Sequence, residues 1–101
     1  ADIDSRRDRA IESVELELRQ AEAHHAQLMK KRTGLLREAE FFQKRAMPPA
    51  LAASLRESDS ELGAQNSIME AKRRDIEAIR NRFEQDRSRY IALTEPRTFP
   101  R

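Results

Sequence analysis

The residues with the clearest chemical potential form a short acidic and histidine segment, Glu22-Ala23-His24-His25. Its Glu-x-x-His spacing is used on the inward faces of helical bundles that hold a carboxylate-bridged metal pair. Asp75 could supply a further carboxylate if a second helix ran beside the first. Lys72 and Arg73 are expected at the same level, however, and their positive charges would compete with a cation. We therefore expect no metal or other cofactor and interpret the segment as a solvated polar layer, with a metal-binding four-helix bundle as an alternative.

A basic segment, Lys72-Arg73-Arg74, begins a run of arginines that could contact phosphate groups. Acidic residues between the arginines neutralise much of this charge. The two aromatic residues in the run, Phe83 and Tyr90, fall on positions that the helical pattern buries, so they are not expected to stack on bases. The run is therefore interpreted as a source of ion pairs between helices, and nucleic acid is not the expected partner.

The sequence holds no recognisable catalytic constellation. It has no Ser/His/Asp set and no glycine-rich phosphate loop, and the absence of cysteine excludes thiolate and disulfide chemistry. A rod of two helices also offers no concave pocket for a substrate. We therefore expect a protein that is not an enzyme.

The composition favours an elongated helical protein over a compact globule. Charged residues make up 38% of the 101 residues, and the mean hydropathy is −0.89, which leaves too little apolar surface for a closed core. The net charge of +2 provides no global attraction to nucleic acid or anionic lipid. No apolar run approaches the roughly 18 residues that a membrane span requires.

Apolar residues recur with unbroken 3,4 spacing along two stretches, which predicts two helices in heptad register. The a positions are residues 11, 18, 25, 32, 39 and 46 in the first stretch and 55, 62, 69, 76, 83 and 90 in the second; the d positions are 14, 21, 28, 35 and 42 in the first and 51, 58, 65, 72, 79, 86 and 93 in the second. The first helix is predicted over residues 5–46, because Ser5-Arg6-Arg7-Asp8 has the form of a capping box. The second is predicted over residues 50–93. The seam between them is formed by Val14, Leu18, Ala21, Leu28, Leu35 and Phe42 of the first helix and by Leu55, Leu62, Met69, Ile76, Ile79 and Phe83 of the second.

Two adjacent prolines, Pro48 and Pro49, separate the two heptad patterns. Proline fits the first turn of a helix, and it pushes the preceding residue out of helical geometry. We therefore predict a turn at residues 47–49 and an antiparallel two-helix coiled-coil hairpin as one domain over residues 1–101. Residues 94–101 contain two further prolines and are predicted to form an extended tail.

A reversal at the prolines predicts that facing residues have numbers that sum to 97, which pairs every a position with a d position. Leu35 is then expected opposite Leu62. Oppositely charged residues on the flanking positions match in this register, and such pairs choose orientation more than they add stability. The predicted ion pairs are Asp8 with Arg87, Glu15 with Arg80, Glu22 with Arg73, and Glu17 with Arg82.

Several apolar residues lie off the seam and are not used by a single hairpin. Unused apolar side chains beside a seam usually widen it to receive another helix. We therefore predict that two hairpins dimerise into a four-helix bundle. The residues assigned to this oligomer surface are Met29, Leu36, Phe41 and Ile68.

The second helix carries Gln65, Asp75-Ile76, Arg82-Phe83 and Arg89-Tyr90 at heptad spacing. In this segment the chain resembles the coiled-coil region of small exported proteobacterial proteins of unknown function. The resemblance implies a location in the bacterial cell envelope and no catalysis.

The patterns together predict a non-enzymatic coiled-coil scaffold or interaction module that binds itself and a protein partner. The alternative is a helical arm that grips a client protein or an RNA. The sequence begins with Ala1 rather than Met, which is compatible with removal of a signal peptide. We expect the periplasm or cell envelope in that case and the cytoplasm otherwise.

Overall fold

The chain forms two long α-helices that lie side by side as an antiparallel hairpin. The computed structural model describes residues 2–94, with α1 over Asp2–Glu40 and α2 over Pro49–Thr94. The described residues hold no strand, and the all-α prediction is confirmed. The radius of gyration is 23.7 Å, compared with about 13 Å for a compact domain of this size, so the hairpin is elongated.

Helix α1 begins at Asp2, so the predicted start at Ser5 is wrong. Asp2 and Asp4 lie in the first turn, where carboxylates stabilise the free N–H groups of the helix end. Arg7 lies 3.5 Å from Asp4 and 3.2 Å from Asp8 through its guanidinium nitrogens. The Asp8 carboxylate is therefore paired with a neighbouring side chain inside the helix, not with the backbone of a helix cap at Ser5.

Helix α1 ends at Glu40, so the predicted end at residue 46 is also wrong. The N–H groups of Phe41 and Phe42 donate to the carbonyl oxygens of Glu38 and Ala39 at 3.2 and 2.9 Å, three residues back instead of four. Such bonds tighten the last turn of a helix and satisfy its orphan carbonyls. The connection therefore covers residues 41–48, and Phe42 lies in it, not in the helix.

Helix α2 begins at Pro49, one residue before the predicted start. The Pro48 carbonyl accepts a hydrogen bond from the Ala52 N–H at 3.1 Å, which makes Pro48 the cap and Pro49 the first helical residue. Met47 lies outside the helices, as the preference of residues before proline predicts. Thr94 is the last residue of α2, and residues 95–101 of the predicted tail lie outside the described part of the chain.

The apolar seam runs between the two helices on the heptad positions. The buried side chains all occupy a or d positions, and the other seam residues as far as Phe83 are half-buried. Residues 84–94 are all exposed, and the last of them extend past the start of α1, because α2 is the longer helix. The buried residues are Ile11, Ala21 and Leu28 of α1 and Leu51, Ser58, Leu62, Gln65, Met69 and Ile76 of α2.

The register differs from the predicted one by a full heptad. The residue numbers sum to 91 for the contact of Arg32 with Asp59 and to 89 for that of Glu17 with Lys72, so facing residues sum to about 90 instead of 97. Seven residues correspond to a slide of about 10 Å along the helix axis. Leu35 is consequently level with Leu55, and the predicted layer of Leu35 with Leu62 is wrong.

The cause of this shift is the position of the connection. A connection over residues 41–48 is centred near residue 44.5, whereas the predicted turn at residues 47–49 is centred on residue 48. The numbers of two facing residues sum to twice the number at the centre of the connection. Moving that centre by half a heptad therefore slides one helix along the other by a whole heptad. Because the pattern repeats every seven residues, the same a and d positions still meet.

Candidate interaction surface

Polar side chains inside the seam lie near its centre. Gln65 is buried, and its Nε2 donates to the Ala21 carbonyl oxygen at 3.0 Å across the two helices. Ser58 is 1% exposed, and its Oγ has no hydrogen-bond partner among the described residues. A small side chain at this level lets the Arg32 stem cover the seam while its guanidinium reaches the rim. The centre of the seam therefore buries two polar side chains, Ser58 and Gln65, among its apolar layers.

Three ion pairs connect the helices along the rims of the seam. Arg32 Nε lies 2.6 Å from Asp59 Oδ1, and Lys72 Nζ lies 2.7 Å from Glu17 Oε2. A third pair joins Arg73 to Glu22 at 3.9 Å. The hydrogen bond and charge of Glu17 raise the pKa of the Lys72 ammonium above its ordinary value.

Of the four predicted ion pairs, the structure brings together only Glu22 and Arg73. Glu17 pairs with Lys72 instead of Arg82, because the slide of one heptad brings an earlier part of α2 opposite it. Within the described residues, the structure contains no ion pair between Glu15 and Arg80 or between Asp8 and Arg87. Asp8, Glu15 and Arg80 instead line one open groove between the helices.

The seam separates two faces of the hairpin, which are named here after their most prominent apolar residues. The Met29 face carries the e and b positions of both helices, and the Ile68 face carries the g and c positions. The four residues assigned to the oligomer surface are all exposed, but they do not form one patch. Met29 and Leu36 lie on the first face, Ile68 lies on the second, and Phe41 lies in the connection.

The Met29 face changes character along its length. Its turn half, residues 24–40 with 49–66, exposes Met29 by 44% and Leu36 by 42%. The facing positions of α2 in this half include the small residues Ala52 and Gly63. The e and b positions of the turn half hold two acidic side chains and one basic side chain, a net charge of −1. This half is therefore a mainly apolar strip at the edge of the seam.

The open half of the Met29 face, residues 2–23 with 67–94, is acidic. Its e and b positions hold seven acidic and four basic side chains, a net charge of −3. A groove of about 400 Å³ lies here over the buried Ile11 and is lined by Asp8, Glu12, Glu15 and Arg80, among others. Like charges at this spacing repel any second acidic surface that approaches.

The Ile68 face holds a smaller apolar groove next to the connection. This groove of about 350 Å³ is lined by Leu35, Phe42, Pro48 and Leu51, together with polar residues at its rim. Ile68 itself is 45% exposed and lies farther along α2. The groove and Ile68 are therefore separate apolar features, and neither continues the strip on the Met29 face.

The exposed end of α2 is a feature that the sequence pattern did not predict. Tyr90 is 58% exposed and Leu93 is 75% exposed, although both occupy seam positions. The expectation that the pattern buries Tyr90 is wrong. In the observed register Tyr90 lies beyond the first residue of α1, so no residue of α1 faces it. The heptad spacing alone carries no signal for this exposure; the difference in helix length does.

The described residues contain no cluster of three histidine, aspartate or glutamate side chains that could hold a metal ion. Glu22 is engaged by Arg73, and Asp75 is exposed on the rim. In the part of the chain that the structure covers, neither helix is long and apolar enough to cross a membrane. Comparison of the chain with protein-family models, curated proteins and solved structures gives no match.

Proposed function

We propose that this chain is a non-enzymatic coiled-coil module that self-associates into a four-helix bundle and serves as a scaffold for a protein partner. The observation that supports self-association is the apolar strip beside the seam. Met29 and Leu36 are about two-fifths exposed in the single hairpin, at e positions next to the buried Leu28. An apolar stripe wider than a strict a and d seam is typical of helices that contact more than one neighbour.

The bundle also supplies what the single hairpin lacks. A pair of helices has a seam only two side chains wide, so its core residues keep one side near water. A second layer over the Met29 face would cover Met29, Leu36 and the rim of the seam together. Removal of apolar surface from water stabilises such an assembly by about 25 cal/mol per Å² before association costs.

The test is the mass in solution, measured by light scattering and by sedimentation equilibrium. We expect the wild-type chain to approach twice the mass of one chain of 11.8 kDa at high micromolar concentration. The double substitution Met29→Glu and Leu36→Glu should weaken the dimer at least tenfold, a change of about 1.4 kcal/mol or more. Leu16→Glu is the matched control, since Leu16 is 50% exposed on the outer surface of α1.

Circular dichroism should show that all three proteins remain helical. A wild-type chain that stays monomeric at high micromolar concentration would contradict self-association. A Leu16→Glu variant that dissociates as readily as the double variant would show that the strip is not the interface.

The exposed end of α2 favours a second candidate function, an arm that grips RNA. Arg87, Arg89 and the exposed Tyr90 lie together on this end, and arginines beside an aromatic ring can hold phosphates and stack on bases. The test is a mobility shift with single-stranded RNA at low salt. Binding should weaken in the double variant Arg87→Ala and Arg89→Ala but not in Arg9→Ala and Arg19→Ala. Equal binding by both variants would reject this arm.

A further inference from the structure

We infer that the partner of the apolar strip is a second copy of the chain in antiparallel orientation, related by a two-fold axis, with the two connections pointing in opposite directions and only the turn halves overlapping. This inference rests on the proposed self-association and adds its orientation and register. Two other arrangements also bring the Met29 faces of two hairpins together. In one, both connections lie at the same end; in the other, the connections point in opposite directions and the hairpins overlap along their whole length.

The charges of the Met29 face disfavour the stack with both connections at the same end. That stack places one open half, with net charge −3, directly over the open half of the second copy. The half-overlapped stack places only the turn halves, each with net charge −1, over one another. The acidic open halves then project away from the dimer on opposite sides, where water and salt screen them.

The apolar residues of α1 define where the two-fold axis lies. A two-fold interface is self-complementary, so residue i of one copy faces residue j of the other and the reverse. Met29 faces Leu36 of the second copy when facing numbers in α1 sum to 65, which places the axis beside Thr33. Full overlap would instead place Met29 and Leu36 over polar residues near the start of α1.

Helix α2 supports the same axis independently. The observed register, in which facing numbers sum to about 90, carries the midpoint of Met29 and Leu36 to residue 57.5 of α2. That point is also the midpoint of Arg56 and Asp59 and the midpoint of Ala52 and Gly63. At this level each Arg56 therefore faces Asp59 of the second copy, and two small residues face each other.

The groups at these positions are available for the contact. The Asp59 side chain stays 59% exposed although its Oδ1 accepts from Arg32. Arg56 makes no ion pair within the described residues. A Cβ atom added at Gly63 would meet nothing within 4 Å, so the surface of the hairpin is open there. An approaching helix can therefore lie close to α2 at this point.

The area of the overlap sets the expected strength. The turn halves of two hairpins overlap for about 25 Å, and each hairpin is about 20 Å wide. The contact therefore buries roughly 1,000 Å² when the surfaces of both copies are counted, near the lower limit for a specific interface. We therefore expect a dimer in the micromolar range, not an obligate one. The turn-end groove on the Ile68 face remains uncovered in this arrangement.

Because the chain has no cysteine, a single introduced cysteine reports the orientation directly. Thr33→Cys lies beside the two-fold axis, so a short bis-maleimide should join two copies in high yield. Lys31→Cys is the matched control, since Lys31 is exposed two residues from Thr33 on α1 but at a g position on the Ile68 face. Helicity and mass are measured on both variants before cross-linking.

Efficient cross-linking of Thr33→Cys with little or none for Lys31→Cys supports the antiparallel dimer. A protein that has the mass of a dimer but does not cross-link through Thr33→Cys overturns the orientation and leaves self-association standing. A protein that has the mass of a monomer overturns the proposed self-association and this inference with it.

Discussion

In the turn half of the hairpin, Leu28 and Leu62 are buried at the same level of the seam, and Leu35 lies level with Leu55. In the open half, Leu18 lies level with Lys72, which bonds to Glu17 at the rim, and no side chain of α2 beyond Phe83 is covered. Both halves have the same heptad spacing. The open half nevertheless buries Ile11, Ala21, Met69 and Ile76, whereas the turn half also buries the polar Ser58 and Gln65. Spacing therefore decides which side chains face the other helix, and the residues on both sides of each layer decide what is buried there.

The largest expected difference comes from proline at two matched serines of α2. Ser67 and Ser88 are both exposed at f positions of α2. Ser67 lies in the part of the helix whose seam residues are buried against α1, and Ser88 lies in the part that is exposed all round. Proline inside a helix costs about 3 kcal/mol or more, so Ser67→Pro should lower the free energy of unfolding by that amount. Ser88→Pro should lower it by less than about 1 kcal/mol, because residues 84–94 can fray without opening the seam.

The measurement is urea unfolding followed by circular dichroism at one fixed protein concentration. Hydrogen exchange of the wild-type chain gives an independent reading, with slow exchange at Leu62 and fast exchange beyond residue 84. If Ser88→Pro destabilised the protein as much as Ser67→Pro, the end of α2 would have to be held by contacts absent from the single hairpin.

Truncation of a buried seam leucine should have the next largest effect. Leu28 is 7% exposed, and Leu28→Ala should lower the free energy of unfolding by about 2–4 kcal/mol through lost burial and an unfilled cavity. Leu16→Ala is the control on the same helix, since Leu16 is 50% exposed, and its effect should stay within about 0.5 kcal/mol. Thermal and urea unfolding of both variants would measure this; similar losses at the two sites would argue against the observed seam.

Two ion pairs of different length, one from each half, should differ by a smaller amount, although the other open-half pair, Lys72 with Glu17, is short at 2.7 Å. Arg32 and Asp59 are 2.6 Å apart in the turn half, whereas Arg73 and Glu22 are 3.9 Å apart in the open half. All four side chains are at least one-third exposed. A double-mutant cycle with Arg32→Met and Asp59→Asn should give a coupling energy of roughly 0.5 kcal/mol, and the cycle on Arg73 and Glu22 a value near zero.

Added salt should reduce the first coupling energy, since both side chains are in contact with water. A larger coupling for the open-half pair would reverse the ranking that the distances predict.

The smallest expected effect is a pH dependence in the open half. Because Glu17 raises the pKa of Lys72, folding is favoured by the ammonium form. This contribution is fully present below the pKa of lysine in the unfolded chain, about 10.4, and is lost as the pH rises through the higher value in the folded chain. The loss of stability as the pH rises above about 10.4 should therefore be smaller in Lys72→Met than in the wild type.

Lys31→Met is the control, because Lys31 is exposed and makes no ion pair within the described residues. Unfolding curves recorded at several pH values would measure the slopes. An unchanged slope in Lys72→Met would mean that the bond to Glu17 contributes nothing measurable in solution.

Much of the fold followed from the sequence. The 3,4 spacing predicted two helices, and every buried residue of the structure occupies one of the predicted a or d positions. Pro48 and Pro49 indicated where the second helix begins, because proline is compatible with a first turn and with little else in a helix. The exposure of Met29 and Leu36 also agrees with their e positions, although their role in oligomerisation stays a prediction.

The end of α1 could not be predicted in the same way. No glycine or proline marks Glu40, and Phe41 and Phe42 continue an apolar pattern that favours a longer helix. Phe42 instead lines a groove with Pro48 and Leu51, an arrangement that exists only once the chain has reversed. The ion-pair ladder was misplaced for the same reason, since charges that repeat every seven residues match almost as well after a slide of seven.

The sequence alone determined the class of fold, the faces of both helices and the start of α2, because these depend on local spacing and on the geometry of proline. Only the tertiary structure decided the register, the partners of Glu17 and Arg32, and the exposure of Tyr90. A heptad pattern is unchanged by a slide of seven residues, so its own spacing cannot choose between registers. The choice depends on where α1 stops, which is at Glu40, two residues before the half-buried Phe42 that lines a groove at the beginning of α2.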